Sequence, residues 1–241
     1  MSTHAQYNPN FLHHKHGFVY FYSREIVFGI QDGMVSLLGA LTGIAVGSKD
    51  HFTIVLSGLS IIFTAALSMA IGTYNSLSTK RKMESRILDE EREEIAKSLS
   101  EEKKEVEILF IEDGWPKELA KEMAESASQN NDLMLKEMAY RELGITTRKS
   151  SQPIQKSIVM FFSWILGGFF PLLPYLFLYN TTAIIVSIIM TLVGLFVLGV
   201  AMSRFTKQKV FFAGLEIVLI GGVAIICGYL IGSMVDLFIQ H

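Results

Sequence analysis

The chain has 241 residues, of which 50% are hydrophobic and 18% are charged, and its formal net charge at pH 7 is −2. Such a composition is too apolar for an ordinary soluble domain and is typical of a polytopic membrane protein, for which we expect no nucleic-acid partner. Cys227 is the only cysteine, which excludes an intrachain disulfide and a multi-cysteine zinc site.

The N-terminal tail, residues 1–23, lacks the positively charged start and the cleavage site of a removable signal. We expect this tail to be cytoplasmic. His13, His14 and His16 lie in it, and three neighbouring imidazoles could bind a transition metal. We interpret them as part of a solvated tail rather than as ligands, because nothing nearby supplies a rigid frame.

Five apolar stretches are long enough to cross a bilayer. They lie at about residues 26–47, 53–76, 157–178, 183–203 and 210–236. Lys and Arg are concentrated in residues 79–156 and in the turn at 204–209, which the positive-inside rule assigns to the cytoplasm. We therefore predict an all-α polytopic membrane protein with five transmembrane helices, a cytoplasmic N-terminus and an external C-terminus.

This topology divides the chain into four parts. After the tail, residues 24–78 hold transmembrane helices 1 and 2, residues 79–156 form a helical cytoplasmic insert, and residues 157–241 hold transmembrane helices 3 to 5. The insert carries 18 of the 23 acidic residues of the chain. No proline or glycine separates the second span from the start of this insert, so we expect the second helix to continue out of the bilayer.

Asp32 is the first candidate functional residue, because a carboxylate in a span costs about 2.5–3.5 kcal/mol on insertion scales. Such a group usually faces a bundle interior or a water-filled path. The alternative is that Asp32 only caps or pairs with a neighbouring span. Small residues recur four apart along this helix, at Gly29 and Gly33 and then at Gly39, Gly43 and Gly47. This spacing predicts close packing with another helix and offers a flat surface for a homodimer.

Met69 lies in the second span among small residues, including Ala65, Ala66 and Ala70. Most methionines in membrane helices only fill space. Here the small neighbours predict a close-packed face on which the thioether could meet the first span. A thioether beside Asp32 would combine a soft ligand with a hard one.

The insert contains two glutamate pairs, Glu91 with Glu94 and Glu102 with Glu105. Because residues three apart share one face of a helix, each pair projects to one side. A break between the two helices near residues 99–101 is plausible, and a helical hairpin would bring the two pairs together. Acidic runs are, however, more often solvated helix faces.

A turn at 112–116 and two short helices complete the insert, the second ending at Gly144. Met134, Met138 and Glu142 are four apart, so two sulfurs and a carboxylate share one stripe. Methionine stripes are usually core. Together with the glutamate pairs, they indicate an oxygen-rich site with one or two thioethers, suited to Fe²⁺ or Mn²⁺.

These residues resemble the vacuolar iron transporter family over about residues 24–236. The resemblance rests on Asp32-Gly33, Ser68-Met69, the insert ending Arg141-Glu142-Leu143-Gly144, and the third-span segment 167–175. It implies a dimeric proton antiporter with five spans that moves Fe²⁺ or Mn²⁺ out of the cytosol. It assigns Asp32 and Met69 as transmembrane ligands and places Glu25 near the cytoplasmic mouth. It also assigns insert ligands, namely Glu91, Glu94, Glu102, Glu105, Met138 and Glu142.

Two positions depart from the family pattern. Ile61 stands where members can carry a second carboxylate, and Met138-Ala139 stands where they can carry a methionine pair. Glu216 in the fifth span is expected to be a well-buried acid that carries protons or pairs structurally. Pro171 and Pro174 predict a kink or an unwound turn in the third span, with a transport or a packing role.

The leading function is therefore a secondary transporter of Fe²⁺ or Mn²⁺ driven by protons, in the plasma membrane of a prokaryote or a vacuolar-type membrane of a eukaryote. The alternative is a membrane-anchored metal sensor or storage adaptor that binds metal without moving it. An enzyme is not expected, since no nucleophile-plus-base group or cofactor motif is found. No prosthetic group is expected either; the bound species are metal ions, protons and lipid.

Overall fold

The structure is a computed structural model that describes residues 18–48, 50–145, 152–206 and 209–239. Within these ranges the chain forms seven α-helices and no strand, which confirms the predicted all-α class. The helices are α1 (Phe18–Ser48), α2 (His51–Glu112), α3 (Lys117–Ser128), α4 (Asn131–Arg141), α5 (Pro153–Phe177), α6 (Asn180–Thr206) and α7 (Val210–Ile239). The three tail histidines lie outside the described residues.

Five of these helices are long and apolar enough to cross a membrane, in agreement with the predicted number of spans. They are α1, α2, α5, α6 and α7. The remaining two, α3 and α4, have 12 and 11 residues and are too short to span.

Helix α2 is 62 residues long and contains one kink. The second helix therefore continues past its apolar part, as predicted. It begins after Asp50, whose Oδ2 accepts a hydrogen bond from the backbone N–H of Thr53 over 2.8 Å. Ser98 departs from helical geometry, with φ −136° and ψ 43°, and the helix kinks there. This kink lies next to the break predicted near residues 99–101. Gly114, with φ 96°, then ends the helix in a conformation that L side chains rarely adopt.

The described residues divide into two compact units. One comprises those of Met1–Thr73 with Ile154–His241, and the other comprises those of Tyr74–Pro153. The first unit has a core around Leu37, Leu41, Ile62, Trp164 and Leu172. The second has its own core, in which α3 contributes three buried alanines and α4 contributes Met134 and Met138. Each unit therefore buries apolar side chains independently of the other.

The glycines of α1 pack against other helices of the same chain. A Cβ on Gly43 would lie 2.9 Å from the carbonyl oxygen of Gly228 in α7, and one on Gly29 would lie 2.7 Å from the Cβ of Ser163 in α5. Gly39 and Gly47 likewise face α7. The prediction that these glycines offer a flat surface to a second chain is therefore wrong, because α5 and α7 already cover them.

Helix α5 continues through both of its prolines and ends only at Phe177. Of the two predicted alternatives, the unwound turn is therefore wrong, and the kink stays a prediction. Pro171 and Pro174 remove the N–H groups that would bond to the carbonyls of Gly167 and Phe170. The helix survives this loss because it is packed on both sides: Gly167 lies directly against the backbone of Ile30, and the Ser187 hydroxyl of α6 donates to the carbonyl of Pro171 over 2.6 Å.

Candidate metal centres

Asp32 lies on α1, half-buried, and each of its oxygens accepts a hydrogen bond. The indole N–H of Trp164 in α5 donates to Oδ2 over 2.7 Å. The hydroxyl of Ser36, one turn further along α1, donates to Oδ1 over 3.3 Å, which is long for an O–H donor. One carboxylate oxygen is thus firmly held and the other is only weakly occupied.

The approach of Trp164 to Asp32 depends on the small residues of α1. A side chain on Gly33 would overlap the backbone of Trp164 and Gly168, so the absence of a Cβ lets α5 lie directly on α1. Since Trp164 is 1% exposed, its polar N–H must find an acceptor inside the bundle. Asp32 supplies that acceptor.

Met69 is half-buried in α2 and packs against the hydrophobic cluster that contains Trp164, Ile62 and Ala66. Ile61 packs against the same cluster as well. Asp32 contacts the same cluster through its hydrogen bond to Trp164, and a metal site shared by Asp32 and Met69 stays a prediction. The neighbouring alanine of α2, Ala66, is fully buried in this cluster, in keeping with the predicted close-packed face.

Glu25 lies two helical turns before Asp32 on α1 and is 3% exposed. Its Oε1 accepts a hydrogen bond from the ammonium group of Lys156 in α5 over 3.1 Å. Its Oε2 is buried and has no hydrogen-bond partner among the described residues. The carboxylate therefore keeps one oxygen free to accept a cation.

Glu216 is exposed on α7, so the prediction that it is a well-buried acid is wrong for the single chain. The face of α7 that packs inward carries Ala213, Gly214 and Ile217, all of which are buried. Gly214 lies against the ring of Phe196 in α6. Glu216 points away from this contact, and the sequence could not distinguish the two faces because α7 is apolar all round.

In the second unit, the two glutamate pairs of α2 each bury one member. Glu91 is 5% exposed and Glu102 is 8% exposed, whereas Glu94 and Glu105 are exposed. Oε1 of Glu91 is buried without a hydrogen-bond partner among the described residues. A buried carboxylate oxygen without a partner is costly, which makes Glu91 the residue of the insert that most requires a ligand.

The acidic side chains of the insert raise one another's pKa values. Burial, followed by repulsion from Glu142, Glu102, Glu94 and Glu105, raises the pKa of Glu91 to about 7. Burial and then the nearby carboxylates, Glu105 first, also raise the pKa values of Glu102 and Glu142. Because repulsion weakens with distance, these shifts indicate that acids from both sides of the Ser98 kink and from the end of α4 lie near one another.

The gathered acids do not yet form a closed ligand set. Among the residues that the structure describes, no three His, Cys, Asp or Glu side chains converge as they would around a bound metal ion. Glutamate side chains have three rotatable bonds, so a divalent ion could draw the carboxylates together by rotamer changes alone. A metal site formed by these acids stays a prediction.

Met138 is fully buried on α4 in the core of the second unit, as is Met134 one turn earlier. Both methionine side chains therefore pack in the core, which is the alternative to a ligand role that the sequence left open. Glu142 follows at the end of α4, where its backbone N–H bonds to the carbonyl of Met138 over 2.9 Å. The helix therefore holds Met138 and Glu142 one turn apart, as their spacing predicted.

Three residues near these centres were missed from the sequence: Trp164, Lys156 and Arg141. Arg141 pairs with Asp113 and Glu137, and its guanidinium lies 4.3 Å from the centre of the Phe110 ring, so it ties the end of α4 to the end of α2. A buried indole or ammonium in or near a span was a usable signal. The sequence could not show which acids these side chains bind, because Lys156 and Trp164 lie more than 130 residues from those acids.

Comparison with known proteins gives a consistent family. The sequence model of the VIT family matches residues 23–233. The chain is 32% identical to the vacuolar iron transporter of Plasmodium falciparum over 87% of its own length and 80% of that protein. It is 30% identical to the vacuolar iron transporter of Plasmodium berghei, over 88% and 81%. It is also 25% identical to vacuolar iron transporter 1 of Arabidopsis thaliana, over 88% and 86%.

Proposed function

The chain belongs to the VIT family, and from this membership we propose that it is a secondary transporter that exports Fe²⁺ or Mn²⁺ from the cytosol in exchange for protons. Its relatives are named as iron transporters, which supports transport rather than catalysis as its function. The five apolar helices supply the membrane part that such a function requires.

The proposal rests mainly on the position of Asp32 in an apolar helix and on its hydrogen bonds. A carboxylate in an apolar helix is retained despite its insertion cost, and only one of its oxygens is firmly bonded. The weakly occupied oxygen can accept a metal ion. Met69, on the same cluster, would add a thioether that favours transition metals over Ca²⁺ or Mg²⁺.

We propose that the insert collects the ion first. Its ligands would be drawn from Glu91, Glu94, Glu102, Glu105, Met138 and Glu142. A carboxylate must lose its proton to bind a metal, so metal and protons compete for these oxygens and for those of Asp32. Competition of this kind lets a proton gradient drive the release of the metal on the far side of the membrane.

The proposed orientation places the N-terminus and the insert in the cytosol, because Lys and Arg are concentrated there. Glu25 would then lie near the cytoplasmic mouth of the path to Asp32. Glu216 lies seven residues into α7, and we propose it as a further acid of the proton path. The membrane would be a prokaryotic plasma membrane or a vacuolar-type membrane.

We further propose that the transporter works as a homodimer. Ser36, which bonds to Asp32, is exposed, as are Ser60, Thr64 and Ser68 of α2. The three α2 residues are four apart and form one polar stripe on a helix that is otherwise apolar in this part. Small polar residues favour close helix association in membranes. A second copy covering this α2 stripe would shield the path from lipid, a role that the covered glycines of α1 cannot fill.

The alternative, a metal sensor or storage adaptor, is favoured by one observation: the second unit has its own core and gathers its acids without any residue of the first. Asp32→Asn separates the two functions. Asparagine keeps an acceptor for Trp164 and removes the ionisable group, so we expect a folded protein that binds Mn²⁺ in the insert but shows no flux into proteoliposomes. Flux by Asp32→Asn at the unmodified rate would exclude Asp32 as the transport ligand, and Mn²⁺ binding without flux by the unmodified protein would favour the sensor.

A further inference from the structure

Helices α1 and α5 meet along a seam that carries both acids of α1. Glu25 bonds to Lys156, and two turns later Asp32 bonds to Trp164, which lies two turns after Lys156. In each pair, α5 donates to one carboxylate oxygen. The two donors differ in charge, since the indole of Trp164 is neutral and the ammonium of Lys156 is a cation.

The pair of Glu25 and Lys156 is unevenly buried. The Glu25 side chain is 3% exposed, and the Lys156 side chain is 22% exposed. Oε2 of Glu25 is buried without a partner among the described residues. Among the described residues, Lys156 is the cation that pairs with Glu25, and breaking such a pair by removing one partner leaves a buried charge uncompensated.

We infer that Lys156 acts as a tethered competitor for the metal ion at Glu25, a positioning residue that occupies the carboxylate between transport events. This inference rests on the proposed function. A divalent ion that reaches Oε2 brings two positive charges and displaces the ammonium, which swings on its flexible stem toward its exposed side. When the ion moves on toward Asp32, Lys156 returns, so Glu25 is never buried without a counter-charge.

This role has a consequence for metal affinity. Since the ammonium must be displaced, Glu25 binds the ion more weakly than an unpaired carboxylate would, and it releases the ion more readily. Loss of the positive charge should tighten binding and slow release. A merely structural ion pair would instead change stability and leave the affinity for metal unaltered.

The test measures Mn²⁺ binding by the full chain in detergent, in a background with Glu102→Ala and Glu105→Ala so that the insert contributes little. Lys156→Met keeps the apolar stem and removes the charge. We expect it to tighten Mn²⁺ binding by at least about fivefold, a modest coupling for charged residues in contact. Lys156→Arg should restore the original affinity, and adding Glu25→Gln to Lys156→Met should abolish the gain.

Two further variants complete the test. Lys97→Met removes an exposed lysine that pairs with Glu93 over 3.1 Å, and it should change nothing. If Lys156→Met does not fold, Lys156→Gln supplies a neutral donor in its place. Unchanged or weaker Mn²⁺ binding by the folded charge-removal variant would overturn the inference.

Flux in proteoliposomes provides the second readout. Lys156→Met should lower both the KM for Mn²⁺ and the maximal rate, because release from Glu25 becomes slower. If the unmodified protein carried no metal, the proposed function would fail. The binding measurement would still decide the role of Lys156, so the two failures can be told apart.

Discussion

Trp164 of α5 donates its indole N–H to the carboxylate of Asp32 on α1 over 2.7 Å, although the two residues are 132 positions apart in the chain. The bond joins the first and third apolar helices at the residue on which the proposed transport depends. It also fixes which oxygen of Asp32 faces α5, and the other oxygen accepts only the longer hydrogen bond from Ser36.

Trp164→Phe should therefore destabilise the protein and impair transport. Phenylalanine keeps most of the buried ring but removes the N–H, so Oδ2 of Asp32 loses its donor at a cost of about 1–3 kcal/mol. We expect a lower thermal unfolding temperature in detergent and a reduced rate of Mn²⁺ flux. Trp115→Phe is the matched control, because Trp115 is 43% exposed in the other unit. Equal behaviour of the two variants would contradict the assigned role of the bond.

The close approach of α1 and α7 should make Gly228 intolerant of any side chain. A Cβ on Gly228 would overlap the backbone of Gly39, which cannot move without shifting the whole helix. We expect Gly228→Ala to lower the free energy of unfolding by about 1–3 kcal/mol, as overpacking does.

Gly222→Ala is the control for this prediction, since an added Cβ there meets no atom within 4 Å. It should leave the unfolding temperature in detergent unchanged or raise it, because alanine favours the helix. The helix packing described for α1 and α7 would be wrong if Gly228→Ala were as stable as Gly222→Ala.

The sequence was sufficient to predict the helices because their signals are local. Apolar length identified five spans, the absence of breakers after Thr73 predicted the extension of α2, and Gly144 marked the end of α4 with its φ of 62°. The unwound turn that the prolines of α5 predicted is absent from the described helix, because the sequence does not show how tightly Gly167 packs on Ile30. Local rules described the elements but not the contacts that preserve them.

The candidate centres were only partly predictable for the same reason. Helical spacing correctly indicated that Glu91 and Glu102 share a crowded acidic region, since each raised pKa reflects burial and neighbouring acids. Spacing could not tell which helix covers a small-residue face. The sequence therefore assigns the glycines of α1 to a second chain, although α5 and α7 cover them. It also predicts a buried Glu216, although this residue is exposed.

The proposed dimer can be tested by crosslinking in lipid. In a Cys227→Ser background, single cysteines at Ser60, Thr64 and Ser68 should each form disulfide-linked dimers, because the α2 stripe would face its copy. Val223 is 61% exposed on α7 and is the control position, at which we expect none. Crosslinks at Val223 alone would move the interface to α7, and none at any position would argue for a monomer.

Metal binding by the insert should depend strongly on pH near neutrality. Burial and the neighbouring acids raise the pKa of Glu91 to about 7, so protons compete with metal for this carboxylate as the pH falls. We expect Mn²⁺ affinity, measured by calorimetry on the full chain, to weaken by up to about tenfold per pH unit below about pH 7 for each proton displaced. Glu91→Gln should bind more weakly and flatten this dependence.

The stability of the metal-free protein should change with pH in the opposite sense to its metal affinity, and should fall as the pH rises. The pKa of Glu91 is higher in the folded chain than its ordinary value of 4.5, so its contribution to stability is fully present below about 4.5 and is lost as the pH rises through about 7. Added Mn²⁺ should restore the unfolding temperature at higher pH by replacing the lost proton. Glu93→Gln, which alters an exposed neighbour on the same helix, should leave both pH dependences unchanged. If Glu91→Gln and Glu93→Gln gave the same profiles, Glu91 would not be the group that couples protons to metal in the insert.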